Sequence, residues 1–426
     1  MATKHKTFAA ESSDVKHFIS GMNKKNDHYL HAVIHFDTTI DERVLIQAVH
    51  ESQKLFPLLS CRYVEAAENA YWEESDWKAS DMVQVVQATD REQAVQEQLT
   101  RKLNEKEGPQ LSIAIIRKDR RDSLAVILNH MLCDGGGFND YLSLLSAQYS
   151  CFIDGNTSTH PNADHLGSRS IKQVFDALNE VQLNEVKHAA LMKHEQDERD
   201  YLPLKGDERQ PFIMTHQLSA KAFDQLRGYV KSKGATINDA LFAAYVCALS
   251  RVIKSDQIIL DCPVNLRNYL PKEAKPGFCN LTANITCIVP RDEGIGFDQA
   301  LMRVKRVMDK QKKSFAPLKV YSELEETYQH HTLTQAKKRF PSIYRIPVNG
   351  MTNIGIIDEH KLRFSGLSIR DVFISGSIKY APYFQIAVTT FQKRMTFSTN
   401  FYGTNEDKAF IDSFITDLIN HLPIQS

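Results

Sequence analysis

A histidine at position 130 stands where an apolar run breaks off, and an aspartate follows four residues on, in His130-Met131-Leu132-Cys133-Asp134-Gly135. An imidazole takes a proton from a hydroxyl or an amine near neutral pH, which makes His130 a candidate general base. Asp134 has two parts open to it. It can pair with a cation and so shape the turn, or it can hold the imidazole directly. Cys133 is either a thiol nucleophile activated by His130 or a small apolar filler, as most free cysteines are.

These side chains need elements to hold them. Residues 124–128 are apolar on both faces, the pattern of a buried strand that ends at Asn129. Gly135, Gly136 and Gly137 then break the pattern, and the period changes: Phe138, Tyr141, Leu142, Leu145, Tyr149 and Phe152 fall on one helical face. His130 therefore sits where a strand opens through a glycine turn into a helix, on a rigid base suited to a functional group. Upstream, residues 111–117 and the polar stretch Lys118–Asp122 predict a hairpin with the His130 strand. Residues 30–36, 58–64 and 82–88 read as strands, with helices from Asp41 to Pro57 and over 91–103.

The later chain repeats the alternation. Strands are predicted over 212–218, 258–264, 280–289, 348–357, 383–391 and 395–402, the last two as a hairpin. Helices are predicted from Ser219 to Lys233, from Thr236 with Asp239 at its N-cap, over 297–312 and from Asn405. Between the sets, residues 155–210 are rich in turns and charge, with a helical stretch at 171–192, and read as a crossover. The expected class is α/β, an α+β layered arrangement of two similar halves with mixed sheets covered by helices. The expected division is 1–160 for the half carrying His130, 161–210 for the linker and 211–426 for the second half.

Composition excludes several classes. The 426 residues carry 52 basic and 52 acidic side chains, so nothing points to a nucleic-acid surface. No run approaches the ~20 apolar residues of a membrane-spanning helix, and the first residues have no apolar core of a secretion signal. Seven cysteines without C-x-x-C spacing fit a reduced, cytoplasmic chain. No histidine pair has zinc-site spacing and no glycine loop has the phosphate-cradling pattern, so no metal is expected.

The His130–Gly135 stretch matches the HxxxDG motif of the chloramphenicol acetyltransferase-like superfamily, which includes condensation domains, wax ester synthases and alcohol acetyltransferases. Other stretches resemble the family in the same order. Pro263-Val264-Asn265-Leu266-Arg267 is similar to its P-V-x-L-R segment, Thr352-Asn353-Ile354-Gly355 to its S-N-x-G segment, and the 234–239 stretch to its G-A-T-x-N-D helix. Asn129 stands where condensation domains and wax ester synthases carry a second histidine, a departure that leaves the acyltransferase reading intact. The resemblance implies an active-site tunnel between two halves, with His130 and Asp134 catalytic and Gly135 and Arg267 as structural support. Arg267 would pair with Asp134, Thr352 and Asn353 would face an oxyanion or the substrate, and the 280–289 segment would form a crossover between the halves. It implies no permanently bound cofactor. The donor would be acyl-CoA, or a phosphopantetheinyl carrier protein if the chain is a free-standing condensation protein. The acceptor would be a small-molecule hydroxyl or amine, and a non-catalytic binding module is the remaining alternative.

Overall fold

A run that is apolar on both faces needs cover on both. Residues 124–129 belong to a strand, Arg121–Asn129, buried from Asp122 to its end. The computed structural model describes residues 5–156, 167–191 and 195–424. Its described strands are, in chain order, β1 (Thr7–Ala9), β2 (Tyr29–Phe36), β3 (Cys61–Glu65), β4 (Ala70–Glu74), β5 (Val83–Gln87), β6 (Leu111–Lys118), β7 (Arg121–Asn129), β8 (Pro211–Leu218), β9 (Gln257–Asn265), β10 (Thr282–Pro290), β11 (Asn349–Ile357), β12 (Ile369–Ser375), β13 (Phe384–Phe391) and β14 (Arg394–Tyr402).

Two mixed sheets dominate. The first runs β12-β2-β7-β6-β5 and the second β10-β9-β11-β13-β14-β8, with a small third sheet β1-β4-β3. In the first, β7 lies between antiparallel neighbours β2 and β6, so the strand carrying His130 at its end is central. Helices Glu42–Leu55 and Gly135–Ile153 cover one face through Leu45, Val49, Phe138 and Leu142. Helix Arg91–Leu99 covers part of the other, packing Val95 and Leu99 against Ile116 and Val33. The second sheet is covered by Ala220–Ser232, Ile237–Ser250, Phe297–Lys312 and Asn405–Asn420. The α/β layered class with two halves is therefore what the chain adopts.

Local signals were largely obeyed. The β6–β7 hairpin forms, helix Phe297–Lys312 has the expected ends, and Thr236 with Asp239 makes a reciprocal capping box. The β13–β14 hairpin turns at Gln392 and Lys393, both with positive φ. The 82–88 strand begins at Val83, because Ala79–Met82 is a helical turn, and the 91–103 helix ends at Leu99. In 171–192, the described residues form two short helices, Lys172–Asp176 and Glu180–His188; Met192 lies outside them.

The division 1–160, 161–210 and 211–426 does not match the spatial halves. Strand β12, which lies within 211–426 and was not among the expected strands, pairs antiparallel with β2 and forms an edge of the first sheet. Helices Ala316–His330 and Leu333–Ile343 place Leu318, Tyr321, Leu324 and Phe340 in the first half's core. The linker contributes too, since Ile171 and Val174 are buried in that core. The cause is an unpaired edge: β2 exposes a row of backbone donors and acceptors, and a strand of any sequence distance can satisfy them. The crossing strand is thus β12. The 280–289 segment instead pairs with β9 as β10, while the residues at its start reach over to the His130 turn.

Candidate active site

His130 follows the last residue of β7. Its main chain is fixed on both sides: its N–H donates to the His28 carbonyl at 2.9 Å and its carbonyl accepts from Asn280 Nδ2 at 2.8 Å. Its ring Nδ1 lies 2.9 Å from the Cys133 carbonyl oxygen. A carbonyl only accepts, so Nδ1 carries the hydrogen and Nε2 keeps its lone pair. Burial, then the nearby Lys16 ammonium, lower the imidazole's pKa to about 4. The ring is therefore neutral, with a basic nitrogen available, across the ordinary physiological range. Asn129, in place of a second histidine, is fully buried and spoken for: it donates to Gln110 Oε1 at 2.7 Å and accepts from the Met131 N–H at 2.9 Å.

Asp134 does not hold the imidazole. Its Oδ1 accepts from the Gly137 N–H at 2.9 Å, capping helix Gly135–Ile153. Its Oδ2 accepts from Arg267 Nη1 at 2.8 Å, the Leu281 N–H at 2.7 Å and Thr282 Oγ1 at 2.8 Å. Burial pushes this carboxyl up, but the Arg267 guanidinium and the N–H donors outweigh it and hold it below the usual carboxylate range. Of the two parts open to it, Asp134 takes the pairing with a cation, and that cation is Arg267. The glycine that close packing demands is Gly137, where an added Cβ would lie 2.8 Å from Cys133 Cβ. At Gly135 it would meet Ile354 at an ordinary 3.6 Å, so crowding does not explain that glycine. The Cys133 thiol is buried and raised well above its usual pKa by that burial, so it is the filler and not a nucleophile.

A second arginine grips the same turn. Arg169, from the crossover, pairs bidentately with the buried Asp14 at 2.9 and 3.2 Å and donates to the Phe278 carbonyl at 3.0 Å. Asp14 also accepts from Trp72 Nε1 at 2.9 Å. Helix Ser12–Met22 is thereby fastened beside the His130 turn. It carries two residues that sequence reasoning passed over. The His17 ring stacks on His130 with centroids 4.1 Å apart and 24° between planes. The Lys16 side chain is buried, donates to Tyr321 Oη at 2.6 Å, and lies 4.8 and 4.6 Å from the ring centroids of Tyr321 and Tyr344. The only local signal was the helical spacing of Val15, Phe18 and Ile19, which marks a buried face but not its neighbours.

His130 lines a cavity of about 220 Å³ together with Lys16, His17, Lys379, Thr352 and Asn353. The cavity takes walls from both cores, including Val264 of β9 and Gly350 of β11. Thr352 and Asn353 stand beside a β-bulge at Asn353/Gly355, where Gly355 takes φ +95° and donates its N–H to Asn353 Oδ1 at 3.0 Å. That bond leaves the Asn353 amide NH2 as the donor end. All six expected site residues, His130, Asp134, Gly135, Arg267, Thr352 and Asn353, line this one cavity. Among the described residues no helix is long and apolar enough to cross a membrane.

Comparison with solved structures finds the same fold in known proteins. The first condensation domain of the calcium-dependent antibiotic synthetase superposes with TM-score 0.69 at 14% identity, covering 100% of this chain and 98% of its own. A trichothecene 15-O-acetyltransferase from Fusarium sporotrichioides gives 0.68 at 12% identity, covering 98% and 96%. Polyketide synthase associated protein 5 from Mycobacterium tuberculosis gives 0.63 at 13% identity, covering 98% and 100%. No curated protein sequence matches the chain. The condensation-domain family model matches residues 16–423, from the buried Lys16 beside His130 to the last turn after the C-terminal helix, and the chain belongs to the condensation-domain family.

Proposed function

We propose that the protein transfers an acyl group from a thioester to a hydroxyl or amine, with His130 as general base. The observation that carries this is the fixed tautomer of His130: Nδ1 donates to the Cys133 carbonyl, and the neutral Nε2 is left to the cavity. Nε2 takes the proton of the acceptor O–H or N–H as that atom attacks the thioester carbonyl carbon. The carbonyl π electrons move to oxygen, and Thr352 Oγ1 and the Asn353 amide supply donors to that oxyanion. Collapse re-forms the carbonyl and breaks the C–S bond. The thiolate takes the proton from the imidazolium, which restores the neutral base. Proton transfer of this kind contributes about 10²–10⁴-fold. Asp134, Arg267 and Asn280 keep the turn in register and touch no reacting atom.

Acyl-CoA is the donor in this reading. A carrier-bound thioester is the second reading, and the family match favours it. The two separate in one experiment: the same acyl group is presented on CoA and on a phosphopantetheinylated carrier protein, and thiol release is followed over a panel of alcohols and amines. Transfer is expected from the CoA thioester. Transfer from the carrier alone would move the donor to the second reading. Neither transfer nor hydrolysis with either donor would leave a binding module and overturn the proposal.

The pH profile gives a second check. His130 is faced by Lys16 and His17 from helix Ser12–Met22, by Lys379, and by Asp134 from its own turn. With its pKa lowered to about 4, the base is already deprotonated at the ordinary histidine pKa. The acid limb of kcat/KM is therefore expected well below pH 6.5, with activity level through that value. A limb centred near 6.5 would mean that the titrating base is a solvated group and not this ring.

A further inference from the structure

The cavity holds two buried ammonium groups that the transfer mechanism does not use. Lys379, in the segment between β12 and β13, is 7% exposed. Its main chain is pinned by bonds to Asn400 and Tyr402 at 3.0 and 2.9 Å, so the side chain cannot swing clear by moving the backbone. Its Nζ makes no hydrogen bond and no salt bridge among the described residues, and the side chain lines the cavity. Lys16 is 5% exposed and spends one of its three donors on Tyr321 Oη, over two tyrosine faces. It too forms no salt bridge among the described residues. The nearest compensating charges act from a distance, Asp134 on Lys16 and Asp27 on Lys379. Asp134 is already engaged by Arg267, and Asp27 gives Oδ1 to the N–H groups of Tyr29 and Ile378. Both lysines line the cavity together with His130 and His17, and after burial their charges add to the lowering of both imidazoles' pKa.

A buried ammonium without a partner is costly, and proteins keep one where something else completes it. A free carboxylate brought in by a substrate is such a partner, accepting charge-assisted hydrogen bonds from both groups. The donor's phosphate is held away from its thioester by the pantetheine arm, so that phosphate is not the anion beside His130. We propose that Lys16 and Lys379 bind a carboxylate on the acceptor, making the substrate a hydroxy acid or an amino acid whose hydroxyl or amine is delivered to His130. This deepens the acyl-transfer reading of the same cavity and rests on it. It also gives the acceptor a part in its own activation. The carboxylate screens the two positive charges that depress the imidazole's basicity, so the base strengthens when the correct acceptor is bound.

The test is calorimetric binding of lactate, mandelate, β-hydroxydecanoate and phenylalanine, each beside its methyl ester. It is run at about pH 6, below the values of about 7 and about 8 to which burial lowers Lys16 and Lys379. At least one acid is expected to bind about tenfold or more tightly than its ester, as a charge-assisted pair predicts. Lys379→Met should erase that preference and Lys379→Arg should retain it. Equal binding of acid and ester, binding of no acid at all, or a preference that survives both Lys379→Met and Lys16→Met overturns the proposal. Stability guards the reading of the variant. Removing an unpaired buried charge should raise the melting temperature of Lys379→Met, and a fall would reveal an internal partner and also overturn it. The two readings fail separately. Thioester turnover with alcohols, together with equal binding of every acid and its ester, would sink the carboxylate site and keep acyl transfer. Acid-selective binding without thioester turnover would do the reverse.

Discussion

His130→Ala is expected to lower kcat/KM for acyl transfer by about 10²–10⁴-fold while the protein stays folded. The main-chain bonds that hold the turn run through the His130 N–H and carbonyl, to His28 and from Asn280, and survive the substitution. What is lost is the ring's bond to the Cys133 carbonyl and its stack on His17. A single intramolecular hydrogen bond is worth about 1 kcal/mol net, so the urea midpoint should move little. Activity and unfolding measured on the same preparation separate the two effects. Near-normal transfer by a folded His130→Ala protein would take the imidazole out of the proton transfer. The size of the loss also tells which effect carries catalysis. A drop near the lower end leaves most of the rate enhancement with the oxyanion donors and with positioning in the cavity.

The second large effect is on stability. Arg267→Ala is expected to cost about 3–5 kcal/mol, because it strands a buried carboxylate without its cation. Asp134→Asn should be comparably harmful, since one Asp134 oxygen serves the guanidinium, the Leu281 N–H and the Thr282 hydroxyl together. Either change loosens the junction between the His130 turn and the start of β10, so transfer should fall by more than the unfolded fraction explains. The double variant Asp134→Leu/Arg267→Met tests the cause. Replacing both charges by apolar side chains removes the stranded charge but leaves the Gly137 and Leu281 N–H groups and the Thr282 hydroxyl without their acceptor, so stability should return only in part and activity should stay low. A single Arg267→Ala variant with the wild-type urea midpoint would mean the pair holds nothing. The pH sign follows from the same bonds. Asp134 is held below the usual carboxylate range, so its contribution is in place at neutral pH. It is lost as pH falls below the unfolded value of 3.8 and through the lower folded one.

The sequence by itself determined the local pieces. Apolar residues on both faces of 124–128, three glycines and then a helical stripe specify strand, turn and helix without reference to anything distant, because side-chain period and glycine freedom are properties of neighbouring residues. His130 at that junction was legible for the same reason, as were the β6–β7 hairpin and the ends of helix Phe297–Lys312. The pairing of Asp134 with Arg267 was reached through the order of the family's motifs, since no local signal joins residues 133 positions apart.

The tertiary structure decided the rest, wherever the outcome depended on which surfaces meet. Both parts open to Asp134 were chemically sound, and the choice fell to Arg267, Leu281 and Thr282, which the packing of β10's start against the turn brings to it. Strand β12 alternates no more clearly than its neighbours, and only the free edge of β2 placed it in the first sheet and blurred the division of the chain at 160 and 211. Lys16, His17 and Lys379 carry no sequence pattern that sets them apart. Their chemistry comes from burial and from one another, and burial is a property of the whole fold that no local period encodes.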